Sequence, residues 1–152
     1  FQDCVEDEGL DLESKNIQLN YSNLVDPSTR IIADPEQLKK VIDNIVGNSI
    51  KYMDKPKGVI NIRILDEVDS VRVEIEDNGK GIAAKDLGKI FERFYRTDAS
   101  RNSSTGGSGI GLSIVKKIIE DHGGYIWATS KDGEGTCLHF VIRKYREAEE
   151  NE

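Results

Sequence analysis

Two glycine-punctuated turns carry the chemistry this sequence can do. The first, Asp77-Asn-Gly-Lys-Gly-Ile82, follows an alternating apolar run; the second, Gly106-Gly-Ser-Gly-Ile-Gly-Leu112, leads into a helical pattern. Glycines this closely spaced let backbone approach a ligand and adopt positive φ angles that a Cβ disfavours. Two such turns, with a polar Ser/Thr-rich stretch between them, suggest the walls of a nucleotide site. Before the first turn, Val71, Val73 and Ile75 share one strand face, and strict alternation puts Asp77 on that same face. A carboxylate buried there needs a donor, because an unpartnered buried charge is costly. Two readings follow. Either the strand has ended and Asp77 opens an Asx turn, or Asp77 receives a ligand amine such as the adenine N6 group, with Gly79 and Gly81 leaving the approach clear.

A second constellation is helical. Asn44, Asn48, Lys51 and Tyr52 stand at i, i+4, i+7 and i+8, a polar stripe beside an apolar one. Asparagine is a poor mid-helix residue, and two of them one turn apart invite explanation. A solvated helix face is one account. The other is chemical: a carboxamide oxygen is a hard ligand for Mg²⁺, which binds through few protein groups plus phosphates. Lys51 would then meet phosphate charge and Tyr52 would pack against a nucleotide. The second glycine turn opens a helix, and the uncovered N–H groups at Gly107, Gly109 and Gly111 favour an anion there. No G-x-x-x-x-G-K-[ST] occurs, nor a G-x-G-x-x-G after a strand, so neither a P-loop nor a dinucleotide fold is indicated.

The elements that must hold these groups are legible in part. Residues 1–13 are weakly helical, Lys15–Tyr21 alternates as a half-buried strand, and Arg30–Ala33 reads as a short strand. Asp34, Pro35 and Gln37 form a helix start with an N-cap, an N1 proline and a capping box. Leu38, Val41, Ile42, Ile45, Val46 and Ser49 make the buried stripe of that helix. Val59–Leu65 and Val71–Asp77 form a hairpin, Ala83–Phe91 is weakly helical, and a second good helix spans Gly109–His122, closed by His122 and Gly123. Tyr125–Ser130 and Thr136–Arg143 are the last strands. The expected fold is a two-layer α/β sandwich, a mixed sheet of about five strands covered on one face by about three helices.

Bulk properties set limits. The chain has 152 residues, 37% hydrophobic and 32% charged, with a formal net charge of −7. That length reads as one domain: a first helix over 1–14, a body over 15–145 and an acidic tail over 146–152. The acidic balance argues against nucleic acid, which needs a basic footprint. Cys4 and Cys137 belong to no metal or redox motif, and there is neither a signal peptide nor an apolar run of membrane length. The opening Phe1-Gln-Asp-Cys-Val reads as helix interior, so a piece of a longer molecule is expected.

The ordered set Asn44-x-x-x-Asn48, Asp77-x-Gly79-x-Gly81, Phe91-x-x-Phe94 and Gly107-x-Gly109-x-Gly111 resembles the N, G1, F and G2 boxes of the catalytic ATP-binding domain of bacterial sensor histidine kinases, within the gyrase, Hsp90, histidine kinase and MutL superfamily. The resemblance runs from about residue 15 to 143, and Gly133-x-Gly135-Thr136 is similar to the family's last glycine motif. It implies a Bergerat-type fold that binds ATP and Mg²⁺. By position, Asp77 would receive the adenine amine with Thr136 nearby through water, and Ile82 would pack on the base. Asn48 would hold Mg²⁺, Asn44 and Lys51 would contact phosphates, and Tyr52 would lie by base or ribose. Gly107, Ser108, Gly109, Ile110, Gly111 and Leu112 would cradle phosphate, residues 95–108 would form a lid, and Arg96, or alternatively Arg93, would reach the γ-phosphate.

The resemblance also implies partners: a His-bearing dimerisation domain, a response regulator and a membrane-bound homodimeric parent with this domain in the cytoplasm. His122 reads as a helix cap and His139 as a strand residue; neither matches a phosphoacceptor motif, so the chain alone is expected to bind ATP without phosphorylating itself. A GHKL-type ATPase or anti-sigma-factor serine kinase is the alternative, disfavoured by the Phe91-Glu-Arg-Phe-Tyr-Arg96 segment. A non-catalytic interaction domain that kept the fold is the third reading, against which Asn48 and Asp77 stand intact.

Overall fold

In a computed structural model the chain is described over residues 1–92 and 111–145. The elements are α1 (Gln2–Ser14), β1 (Ile17–Asn23), α2 (Pro35–Lys51), β2 (Gly58–Asp66), β3 (Ser70–Asp77), α3 (Ala84–Leu87), α4 (Gly111–Asp121), β4 (Ile126–Lys131) and β5 (Gly135–Arg143). The sheet has the order β1-β2-β3-β5-β4. β1 and β2 run parallel, connected through α2, and the other pairs are antiparallel. This is the expected mixed-sheet sandwich, with a one-turn α3 added to the three longer helices.

The period-3.6 stripe of α2 (Leu38, Val41, Ile42, Ile45, Val46) meets the period-2 rows Ile60–Ile62–Ile64, Val71–Val73–Ile75 and Leu138–Phe140–Ile142 of the central strands, all of them buried. α4 adds Leu112, Val115, Ile118 and Ile119, and α1 adds Val5 and Leu12. Each fully buried aliphatic side chain of this size contributes roughly 1.5–3 kcal/mol, so the helices are held to the sheet mainly by this layer.

Local chemistry sets the ends of α2. The Asp34 side chain accepts from the backbone N–H of Glu36 and Gln37, with Pro35 in the first turn. The reciprocal half of the expected capping box is replaced: the Asp34 N–H donates to His122 Nε2 at 3.1 Å. His122 Nδ1 lies 2.7 Å from the Ile118 carbonyl, so it carries the proton, and the neutral ring ties the end of α4 to the start of α2. The expected strand over 30–33 is a single bridge, Ile31 with Lys144. The helical segment expected over 83–91 is regular only over Ala84–Leu87.

The face of the sheet opposite the helices carries a charged ladder. Glu74 accepts from Arg63 Nε at 3.0 Å and Arg72 Nη2 at 2.9 Å, and its Oε2 lies 3.0 Å from His139 Nδ1. Burial works to raise the Glu74 pKa, but the bonds from Arg63 and His139 and the charge of Arg72 bring it below the ordinary value. His139 also stacks on Trp127 with ring centroids 4.9 Å apart.

Two glycines in the β4–β5 turn differ in what they must do. Gly133 has φ +82° and open space where a Cβ would stand, whereas Gly135 has φ +127° and a Cβ there would collide with the Asp77 carbonyl. Gly133→Ala is therefore expected to cost about 1–2 kcal/mol of left-handed strain. Gly135→Ala should cost distinctly more, since a steric clash adds to strain of about 1–3 kcal/mol. Urea unfolding of both variants checks this, and equal losses would contradict the close approach at Gly135.

Candidate functional site

The site forms where β3 ends and β5 begins, beneath α2. Asp77 is 7% exposed and sits directly opposite Thr136, also 7% exposed, at the last rung of the antiparallel ladder. Of the two readings the Asx turn is present, although β3 runs through Asp77 as its last residue. Its side chain lies in the apolar row as alternation requires, and its Oδ1 also accepts the Gly79 N–H at 2.9 Å in an Asx turn. Burial raises the Asp77 pKa above its ordinary value, against the lowering effects of the Gly79 N–H, the Ser49 hydroxyl and the Thr136 backbone. Ser49 itself is 1% exposed; its Oγ lies near enough to favour the Asp77 carboxylate but makes no hydrogen bond of ordinary length among the described residues.

Neighbouring hydroxyls are oriented by elimination. Ser130 Oγ accepts the Ile82 N–H at 2.8 Å and lies 2.8 Å from the Gly135 carbonyl, to which it can only donate. Its single proton is thereby used, so Thr136 Oγ1, 2.9 Å away, must donate to Ser130. What Thr136 and Asp77 then present to a ligand is acceptor capacity, suited to an amine. An open cavity of about 350 Å³ at this end of the sheet is lined by Asp77, Ser130 and Thr136 from one strand face and Glu76, Thr129 and Cys137 from the other.

The first glycine turn is locked from beneath. Asn78 Oδ1 accepts the Val59 N–H at 2.7 Å and its Nδ2 donates to the Lys57 carbonyl at 3.0 Å, continuing the β2–β3 ladder through a side chain. Gly81, at φ +77°, passes so close to the β4–β5 turn that a Cβ would strike the Lys131 carbonyl. Ile82 returns into the core at 8% exposure.

α2 brings the polar stripe to the same end. Asn44 donates from Nδ2 to the Lys40 carbonyl at 2.8 Å. Its Oδ1, with no partner among the described residues, faces the start of α4, where a Cβ on Gly111 would lie 3.5 Å from it. Asn48 is half-buried, and no side-chain partner occupies it among the described residues. Tyr52 is the C-cap of α2, with Lys51 Nζ 5.4 Å and Lys80 Nζ 5.0 Å from its ring centroid. Neither lysine has a carboxylate partner among the described residues. Leu112 packs in the core at 8% exposure, so in this structure its side chain serves packing.

Thus Asn44, Asn48, Lys51, Tyr52, Asp77, Gly79, Gly81, Ile82, Gly111 and Thr136 lie at one end of the sandwich. Arg93, Phe94, Arg96, Gly107, Ser108, Gly109 and Ile110, with most of the expected lid, fall outside the described residues. Ser49, Asn78 and Ser130 are site residues that sequence reasoning missed. Ser49 was legible only as part of an apolar stripe, and the partners of the other two are distant in sequence.

For a hard divalent cation, the carboxamide oxygens of Asn48 and Asn44, unpartnered among the described residues, are donors of the right kind. Glu74, Cys137 and His139 also bring potential ligand atoms within 4.8 Å of one another. There, however, two guanidinium groups already occupy Glu74, and burial together with Glu74 and Glu76 pushes the Cys137 thiol up to about 12.

Residues 33–146 match the family described as histidine kinase-, DNA gyrase B- and HSP90-like ATPases. The chain belongs to this family. Among curated proteins, the ATPase domain is 38% identical over 133 residues to the sensor histidine kinase WalK of Bacillus subtilis (strain 168), covering 86% of this chain and 21% of that protein. It is 39% identical over 110 residues to the sensor protein kinase WalK of Staphylococcus aureus, covering 72% of this chain and 26% of that protein. The chain thus spans about a fifth to a quarter of the length of these relatives. Among solved structures, the catalytic domain of histidine kinase ThkA superposes with a TM-score of 0.76 at 31% identity, covering 93% of this chain and 92% of that one. The mycobacterial sensor histidine kinase MprB gives 0.80 at 25% identity, covering 94% and 95%. The chain is a catalytic domain of the histidine kinase-like ATPase type, and no helix among its described residues is long and apolar enough to cross a membrane.

The raised Asp77 pKa has a sign that can be measured. A carboxyl whose folded pKa exceeds its unfolded value favours the folded state while protonated, and that advantage is lost as pH rises through the folded pKa. Asp77→Asn keeps an acceptor for the Gly79 N–H and removes the buried charge. The variant is expected to unfold at the same or a higher temperature than the unsubstituted chain near pH 7, with its margin shrinking toward about pH 4. Thermal unfolding across that range checks this; a variant less stable at neutral pH than in acid, relative to the unsubstituted chain, would contradict it.

Proposed function

We propose that this ATPase domain binds ATP with Mg²⁺ and delivers the γ-phosphate to a histidine on a separate, His-bearing dimerisation domain of a two-component sensor kinase. The observation that carries the reading is the buried Asp77 carboxylate, set beside the acceptor Thr136 at an open end of the sheet, with Asn48 and Lys51 on the neighbouring helix unpaired among the described residues. Kinship with sensor kinases supports it.

In this reading Asp77 accepts the adenine amine, Thr136 assists through water, and Ile82 and Tyr52 pack against base and ribose. Gly79 and Gly81 clear the approach. Asn44 and Lys51 contact phosphates, and Asn48 holds Mg²⁺ through its carboxamide oxygen. The bound ion neutralises phosphate charge, which is the main requirement of phosphoryl transfer. Gly107 to Leu112 cradle phosphate at the entry to α4, and Arg96, on a lid over residues 95–108, stabilises the γ-phosphate. Catalysis then consists of positioning and charge compensation. The parent is proposed to be a membrane-bound homodimer with this domain in the cytoplasm, passing its phosphoryl group on to a response regulator.

Two experiments test the reading. By calorimetry, ATP with Mg²⁺ should bind in the micromolar range, and Asp77→Asn should weaken it at least about tenfold, the loss of a hydrogen bond to a charged group. Asn48→Ala should bind equally with Mg²⁺ or with a chelator, because the ion has lost its protein ligand. With γ-labelled ATP the chain alone should acquire no acid-labile label, whereas an added His-bearing hairpin from the parent protein should. Labelling of the chain alone, or no nucleotide binding, would overturn the proposal.

A further inference from the structure

We propose that Lys55 is a positioning residue for base recognition, a cation that holds the Asp77 turn in the shape that reads adenine; the inference rests on the nucleotide-binding reading above. Lys55 lies just past the end of α2. Its Nζ donates to the carbonyls of Gly79 at 3.2 Å and Gly133 at 3.1 Å and to Asp54 Oδ1 at 3.0 Å. An ammonium has three protons, and all three are used.

Those carbonyls belong to the first glycine turn and to the β4–β5 turn, 24 and 78 residues away. Backbone bonds complete the junction. Lys80 N–H donates to the Tyr52 carbonyl at 3.2 Å, and Gly133 N–H donates to the Lys80 carbonyl at 2.7 Å. Three segments therefore meet at one ammonium: the end of α2, the turn after β3 and the turn before β5. They are packed so closely that a Cβ on Gly79 would lie 2.7 Å from the Tyr52 carbonyl.

The connection to recognition is one residue long. The carbonyl of Gly79 is held by Lys55, and the N–H of the same residue donates to Asp77 Oδ1 at 2.9 Å. That N–H decides which carboxylate oxygen remains free and where it points. Without the cation, the Gly79 and Gly133 carbonyls converge with no donor between them and the turn must swing to find water. Such a movement alters the Asp77 acceptor but leaves the phosphate side, on α2 and at the start of α4, in place.

The test separates base reading from phosphate binding. ATP and ITP carry the same triphosphate, but the inosine ring has a carbonyl where adenine has its amine, so only ATP can donate to Asp77. Affinities of both are measured by calorimetry with Mg²⁺ for the unsubstituted chain, Lys55→Met and Lys55→Arg, with thermal unfolding alongside. Lys55→Met should weaken ATP about five- to tenfold, in the range of one hydrogen bond, and change ITP less than about twofold, so that the ATP:ITP ratio collapses. Lys55→Arg, which keeps charge and donors, should restore the ratio. A change in general electrostatics or global stability would move both nucleotides together; equal losses, or an unchanged ratio, overturn the proposal. If Lys55→Met does not fold, Lys55→Gln decides on the same ratio. An unsubstituted chain that binds neither nucleotide, or binds them equally, would instead refute the adenine reading itself and the role of Lys55 with it.

Discussion

The pairing of Asp77 with Thr136 at the last rung of β3 and β5 is the constraint on which the site depends. A slip of one residue in β3 would send Val71, Val73 and Ile75 to the charged face and bring Arg72, Glu74 and Glu76 under α2. The buried apolar row therefore fixes the register, and the register in turn places a carboxylate at the end of that row. Asp77 is held in a costly position by side chains that have nothing to do with a ligand. The cost is moderated by the Gly79 N–H and the nearness of Ser49, but burial still prevails in raising its pKa. A group poised in this way gains from any donor that reaches it, which is what a recognition site requires.

The two faces of the sheet solve the problem of buried charge differently. On the outer face, Glu74 is surrounded by Arg63, Arg72 and His139, and its charge is stabilised to the point that its pKa falls. On the inner face, Asp77 has no cation beside it among the described residues, and burial raises its pKa. Carboxylates three residues apart on one strand thus differ because one has its partners within the fold and the other is left with acceptor capacity. The first is structural by this criterion, and the second is available for binding.

What was legible in the sequence was whatever repeats with the period of its own element. Alternation placed Asp77 correctly, and helical spacing placed the α2 stripe with Asn44, Asn48 and Ser49. The glycine turns were legible because glycine is needed where segments nearly touch, as at Gly81 and Gly135. Long-range pairings were not. Nothing near Gln37 announces that His122, at the end of another helix, will take the bond of the capping box. Arg30–Ala33 has strand composition, yet only Ile31 finds a rung because its partner, Lys144, lies just past the end of β5. Asn78, Ser130 and Lys55 looked like ordinary loop and strand residues because their roles come from backbone groups supplied elsewhere in the chain.

A protein with a net charge of −7 that is to bind a polyanion must separate its charges locally. Lys15, Lys39, Lys117, Lys131 and Lys144 each face a carboxylate, mostly on exposed surface, where such pairs contribute little stability. Lys51 and Lys80 have no carboxylate partner among the described residues, and their Nζ atoms lie 5.4 and 5.0 Å from the Tyr52 ring centroid. Both are tied to rigid backbone, one on the last turn of α2 and the other in a glycine turn anchored to that same helix end. Two cations close to one ring make that spot locally positive on a chain of net negative charge. The same potential is screened within about 8 Å at physiological salt. The attraction is therefore local, acting on an anion only once it has come within that distance.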